Sequence, residues 1–256
     1  MALLVAALAL AQAASALAPV EHERLALCQQ AARSDPPTAL VTASQWLAEA
    51  HGPGRSAPQQ CFGVAYVSLL RWDAAHHAFL AARDALGSAD PAGRARLAAM
   101  AGNAALAGGL QAAALAAFDL ARGDAAQAGD AGLGAGIEAD RARALVALGR
   151  TGEAGEALER ARADAPQDAA IWLLSATLSR REGRVEDASA QIRTAAALAP
   201  QDPAVALEAG LIAALAGQDE AALAHWRSVG TLAPDSAEAR IAATYLARLA
   251  QTEKRP

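Results

Sequence analysis

Aromatic side chains are scarce in this chain. Phe, Trp and Tyr make up 4% of 256 residues although 54% are hydrophobic, and β-branched content is low as well. What remains is a helix-forming composition of small side chains, suited to closely packed helical pairs. Basic tracts are missing, and the net charge of −5 gives no general attraction to nucleic acid or to an anionic membrane. Nucleic acid is therefore not an expected partner. HExxH, CxxC, GxSxG, P-loop and dinucleotide fingerprints are all absent. His76 and His77 are adjacent, so on a helix they diverge by about 100° and cannot chelate one ion as an i, i+4 pair would. Gly132-Leu-Gly-Ala-Gly136 is Gly-rich but follows no strand, and it reads as a linker. No catalytic residue, metal ligand or cofactor site is expected, and the chain reads as non-enzymatic.

What the chain does have is periodicity. Ala154, Ala188 and Ala222 are 34 residues apart, as are Leu158, Ile192 and Trp226, and Pro166, Pro200 and Pro234. Gly149, Gly183 and Gly217 mark a fourth phase. From Ile171 to Glu182 there is no Gly or Pro, and Ile171, Leu174 and Leu178 form an apolar side at helical spacing. Gly183 permits the left-handed backbone that ends a helix. Glu186 and Asp187 suit the first turn of a second helix, whose apolar face is Ala188, Ile192 and Ala195. Pro200 stops that helix. Each unit is thus a helix, a tight turn, a second helix and a Pro-marked link.

A 34-residue unit of this content resembles the tetratricopeptide repeat. Trp172 fits the first large position of that family. Phe62-Gly63-Val64-Ala65-Tyr66 and Ala101-Gly102-Asn103-Ala104-Ala105 fit its Leu-Gly-x-x-Tyr segment. Ala75/Phe79/Ala82 and Ala114/Phe118/Ala121 fit the second helix, where a large residue fills the gap left between small ones. Repeats fall at 56–89, 95–128, 135–168, 169–202 and 203–236, with a degenerate one at 22–55. The resemblance implies an all-α, right-handed α-solenoid of helix-turn-helix repeats over 19–256. A capping helix is expected over 236–251, with Ala239, Ala242, Ala243 and Leu246 facing inward. Two spacings exceed the period: Gly63 to Gly102 is 39, and Gly102 to Ala142 is 40. The extra residues, near 86–94 and 122–134, form extended helix ends or loops. Upstream, Asp35-Pro36-Pro37 reads as a break, with Thr38 as the N-cap of a helix through Ala50.

The resemblance also implies a function. In this family the first helices of successive pairs line a concave groove that receives another protein or a peptide segment. The groove positions carried over are Gln60, Val64 and Val67; Arg96, Asn103 and Leu106; Arg143 and Val146; Leu173, Thr177 and Arg180; and Leu207 and Leu211. Asn103, Arg143 and Arg180 are its expected polar anchors, suited to an apolar segment bearing an acidic group or a carboxylate. The competing reading has these apolar residues packed on neighbours inside a tight superhelix, with the arginines solvating its rim.

Residues 1–18 stand apart. Leu3 to Leu10 is a short apolar core and Ala16-Leu17-Ala18 is a cleavage pattern, so the segment reads as an export signal; Ala11-Gln12-Ala13 is an alternative site. An uncleaved anchor or an ordinary first helix are the other readings, the first opposed by shortness and by Gln12 and Ser15. Leu27 and the charged residues before it exclude lipidation at Cys28. Cys28 and Cys61, 33 residues apart, fall at similar heights on first helices of neighbouring units, where a disulfide can reach. Export and the disulfide together predict a periplasmic protein with no stable membrane insertion after signal cleavage. A cytoplasmic adaptor with reduced cysteines and an accessory subunit of an envelope enzyme system remain alternatives.

Overall fold

The computed structural model describes residues 20–252, so the expected signal segment 1–18 lies outside the described residues. Among the described residues the chain is all-α, without a strand. Helix α1 runs over 20–34, followed by α2 (Pro36–Glu49), α3 (Ser56–Ser68), α4 (Trp72–Ala85), α5 (Pro91–Ala107), α6 (Gln111–Ala128) and α7 (Ala131–Ala147). Then come α8 (Thr151–Asp164), α9 (Ala169–Arg181), α10 (Val185–Leu198), α11 (Pro203–Leu215), α12 (Asp219–Leu232) and α13 (Ala237–Thr252). They compose two compact units, Met1–Gly149 and Arg150–Pro256. The division falls between α7 and α8, within the repeat expected over 135–168.

The punctuation of the helices is itself repetitive. Asp90, Asp130, Asp168 and Asp202 cap α5, α7, α9 and α11, each accepting a hydrogen bond from a first-turn backbone N–H. The turns into the second helices share another device. Backbone N–H groups of Arg71, Leu110, Arg184 and Gln218 donate to carbonyls five residues back, at 2.8–2.9 Å. This closure needs a left-handed residue just before the donor. Gly109, Gly183 and Gly217 supply it with φ of 73°, 75° and 71°. In the first of these turns Leu70 does so instead, with φ 56°.

Small residues let the helices approach. An added Cβ on Gly63 would overlap the ring of Phe79, and one on Gly102 the ring of Phe118; both pairs lie in the N-terminal unit. In the C-terminal unit Trp226 lies over Gly210 in the same way, and Tyr245 of α13 stacks on Trp226 at 5.0 Å. Buried alanines fill most of the remaining core. The expected pairing of small with large residues is thus the packing principle of both units.

The lengthened spacings are absorbed by helix. α5, α6 and α7 have 17, 18 and 17 residues, against 13 or 14 in α8 to α12. The added length carries a buried ion network. Asp124 of α6, 3% exposed, accepts from Arg83 Nε of α4 at 2.7 Å and from Arg94 Nε of α5 at 3.2 Å.

Three local expectations need correction. Thr38 is not the cap of α2: Asp35 is, accepting from the Thr38 N–H, while Pro36 and Pro37 fill the first turn, where a missing N–H costs nothing. The Gly-rich stretch 132–136 is no linker but the first turns of α7, begun by the Asp130 cap and held by buried Ala135 and Ile137. In α13, Ala242 is buried and Ala239 and Leu246 pack inward as expected, but Ala243 is exposed and Tyr245 takes its place on the core.

Candidate functional site

The first helices α3, α5 and α7 of the N-terminal unit carry eight of the expected groove residues, and none of the eight is buried. Gln60, Val64, Val67, Leu106 and Val146 are half-buried, whereas Arg96, Asn103 and Arg143 are exposed. The structure brings three of them together. Val64 and Val67 of α3 and Asn103 of α5 line one open cavity of about 470 Å³. Ser68 of α3, Trp72 and Phe79 of α4, and Met100 and Ala104 of α5 also line it. Arg33, from α1, contributes the cationic edge.

The expected polar anchors have partners within the chain. Asn103 Nδ2 donates to Asp140 Oδ2 at 2.8 Å, and Arg143 donates to the other oxygen of the same carboxylate at 2.6 Å. Asp140 therefore links α5 to α7 and neutralises Arg143. Arg96 lies 3.8 Å from Asp130, and Gln60 Nε2 donates to Ser56 Oγ at 3.2 Å. Cys28 and Cys61 form a disulfide between α1 and α3, with Cα atoms 5.9 Å apart, as their spacing predicts.

In the C-terminal unit Leu173, Thr177 and Arg180 lie on α9 and Leu207 and Leu211 on α11, all half-buried. Leu173 packs against the cluster around Ile192 and Val205, while Leu207 and Leu211 pack against the one around Trp226. Arg180 is not a free anchor. It makes a two-point contact with Glu208, at 2.6 and 3.3 Å, and Glu208 is itself buried. A charge pair held in this fork geometry between neighbouring first helices fixes their register. At the start of α9, Arg162 lies 5.2 Å over the Trp172 ring, and burial pulls its guanidinium below the usual arginine range. A polar cleft of about 30 Å³ between α8, α9 and α10, lined by Ser175, Ser179 and Gln191, has room for a water and little more.

Sequence reasoning missed Arg33, Ser68, Trp72, Phe79 and Met100 as cavity residues. Arg33 lies in the degenerate first repeat, where no consensus position points to it. Trp72 and Phe79 belong to a second helix and were legible only as packing. Among the described residues no group of His, Cys, Asp and Glu is arranged to hold a metal ion, and no helix is long and apolar enough to cross a membrane. His76 is buried, with Nδ1 3.0 Å from the Ala101 carbonyl, and His77 sits 3.5 Å from Asp73.

Comparison with known proteins bears on the fold. Residues 145–215 match the family model described as tetratricopeptide repeat. No curated protein matches the chain. Among solved structures, PilW, described as a widely conserved type IV pilus biogenesis factor, superposes with a TM-score of 0.66 at 20% identity, over 87% of this chain and 97% of its own. PilF of Pseudomonas aeruginosa gives 0.64 at 15% identity, over 91% and 99%. YrrB, described as a tetratricopeptide-repeat protein with an unusual peptide-binding site, gives 0.51 at 21% identity, over 73% and 91%. At such identities the likeness is one of fold. Sequence thus places residues 145–215 in the tetratricopeptide repeat family, and the remaining described helices carry the fold of tetratricopeptide-repeat proteins.

Proposed function

We propose that the chain is a non-enzymatic scaffold that holds a segment of another protein against its first helices, in the periplasm. The observation that carries this is the apolar cavity of about 470 Å³ on α3, α4 and α5, of the size and lining of a binding site, at positions the family uses for contact. YrrB, of the same fold, is described as having a peptide-binding site, and PilW as a pilus biogenesis factor. The groove residues are Gln60, Val64, Val67, Arg96, Asn103, Leu106, Arg143 and Val146 in the N-terminal unit. In the C-terminal unit they are Leu173, Thr177, Arg180, Leu207 and Leu211. The disulfide supports an oxidising compartment, since such bonds persist outside the reducing cytoplasm.

A photo-crosslinking residue at Val67 tests the groove. It should trap one partner in cells, whereas the same residue at Leu120, exposed on the second helix α6, should trap none. Equal trapping from both positions would remove the groove from the reading. Cell fractionation with intact mass tests the location: an oxidised, shortened, periplasmic product is expected, and a full-length cytoplasmic dithiol would overturn it.

A further inference from the structure

The cavity of the N-terminal unit has one wall that the repeat consensus does not supply. Its cation, Arg33, comes from α1, and among the described residues its guanidinium has no hydrogen bond or ion pair. The other cations on this groove are compensated, Arg143 by Asp140 and Arg96 by Asp130. Among the described residues no carboxylate lines the cavity. An uncompensated guanidinium at the mouth of an apolar pocket is complementary to an anion attached to an apolar group.

Arg33 depends on α1 for its position, and α1 is lightly held by packing. Among the described residues its buried side chains are Cys28 and Ala32, with Leu25 and Ala31 partly covered; Arg24 stacks 4.5 Å over Trp46 and lies 3.4 Å from Glu49 of α2, so the apolar area that secures it is small. The Cys28–Cys61 bond ties it to α3 directly. Arg33 follows Cys28 by about one and a half helical turns, and Val64 follows Cys61 by about one, so the bond fastens the two walls of the cavity to each other.

We propose that this cavity receives an apolar side chain lying beside a carboxylate on the partner protein, that Arg33 pairs with the carboxylate, and that the Cys28–Cys61 disulfide holds Arg33 in place to do so. This rests on the scaffold reading and adds to it the partner's chemistry and a redox condition. Arg143 and Arg180, the expected acid-binding groups, are spent on Asp140 and Glu208.

Anilinonaphthalene sulfonate, an aromatic anion, is the probe, titrated by fluorescence into the oxidised full chain. It should bind one site per chain. Arg33→Gln should weaken binding about tenfold or more, as expected for loss of a charge-assisted contact, while Arg33→Lys retains part of it. Reduction of the wild type should weaken it similarly, re-oxidation should restore it, and Cys28→Ser with Cys61→Ser should match the reduced protein. Circular dichroism on the same samples checks that helix content is kept. Unchanged affinity in Arg33→Gln, or equal binding of uncharged phenylnaphthylamine, would overturn the anion pairing. Unchanged affinity on reduction, or a loss that accompanies lost helix, would overturn the tether. None of these results alters the crosslinking at Val67, on which the scaffold reading stands separately.

Discussion

At Leu70 the chain sets a branched apolar side chain where the corresponding turns have Gly109, Gly183 and Gly217. Left-handed backbone costs an L-residue about 1–2 kcal/mol, and Leu70 recovers little by packing because it is 68% exposed. Leu70→Gly should therefore stabilise the N-terminal unit by about 1 kcal/mol in urea unfolding; a loss of stability would mean that the side chain has contacts worth more than the strain. The departure was visible in the sequence, since the glycine phase is missing from that turn, but the exposure that makes it unrewarded was not. Pairs such as Gly63 with Phe79 were legible because close approach of helices restricts residue size at both ends of a contact. Arg33 was not, because a lone arginine on a degenerate helix looks like any solvated cation until the fold puts Val64 and Trp72 beside it.

Between elements, the most consequential polar contact is Asp124 with Arg83 and Arg94, which joins α4, α5 and α6. Removing one partner of a buried ion pair strands the other. Asp124→Ala leaves buried Arg83 only the exposed carboxylate of Asp84, at 2.8 Å, and should cost about 3 kcal/mol, the low end for breaking a buried pair, measured by chemical denaturation, whereas a cost under about 1 kcal/mol would mean that Asp84 and water suffice for Arg83. Helix lengthening in this region was one of two readings of the sequence, and the network that rewards it was not deducible, since nothing in the spacing shows three helices converging on Asp124. At the turn between α9 and α10, hydrogen bonding by Arg184 holds the Glu182 carboxyl below its usual range. A depressed folded pKa stabilises above the unfolded value, near 4.5, and the gain disappears as pH falls through the folded one. Between pH 7 and pH 3 the unfolding midpoint of Glu182→Gln should fall less than that of the wild type; parallel curves would show that solvent screens the contact.

At the scale of the whole molecule, helix pairs were predictable almost completely, because the 34-residue phase, the Pro-marked links and the turn glycines all point to one architecture. Where the chain divides into compact units was not, since the composition does not change at Gly149. The sole covalent constraint lies in the N-terminal unit. Cross-linking residues 33 apart restricts the unfolded chain by about 3–4 kcal/mol in the loop-entropy account. Reductant should therefore raise amide hydrogen exchange in α1 to α3 and leave α10 to α12 at their oxidised rates. Uniform acceleration through all helices would show that the bond supports the entire fold.

The internal pairing of Arg143 with Asp140 and of Arg180 with Glu208 has a kinetic consequence. In each unit a partner reaching these arginines meets a local charge that the chain has already cancelled, unlike that of Arg33. These two pairs then add no steering to the encounter, which without steering proceeds at about 10⁵–10⁶ M⁻¹s⁻¹. Discrimination among candidates falls to how long each one stays.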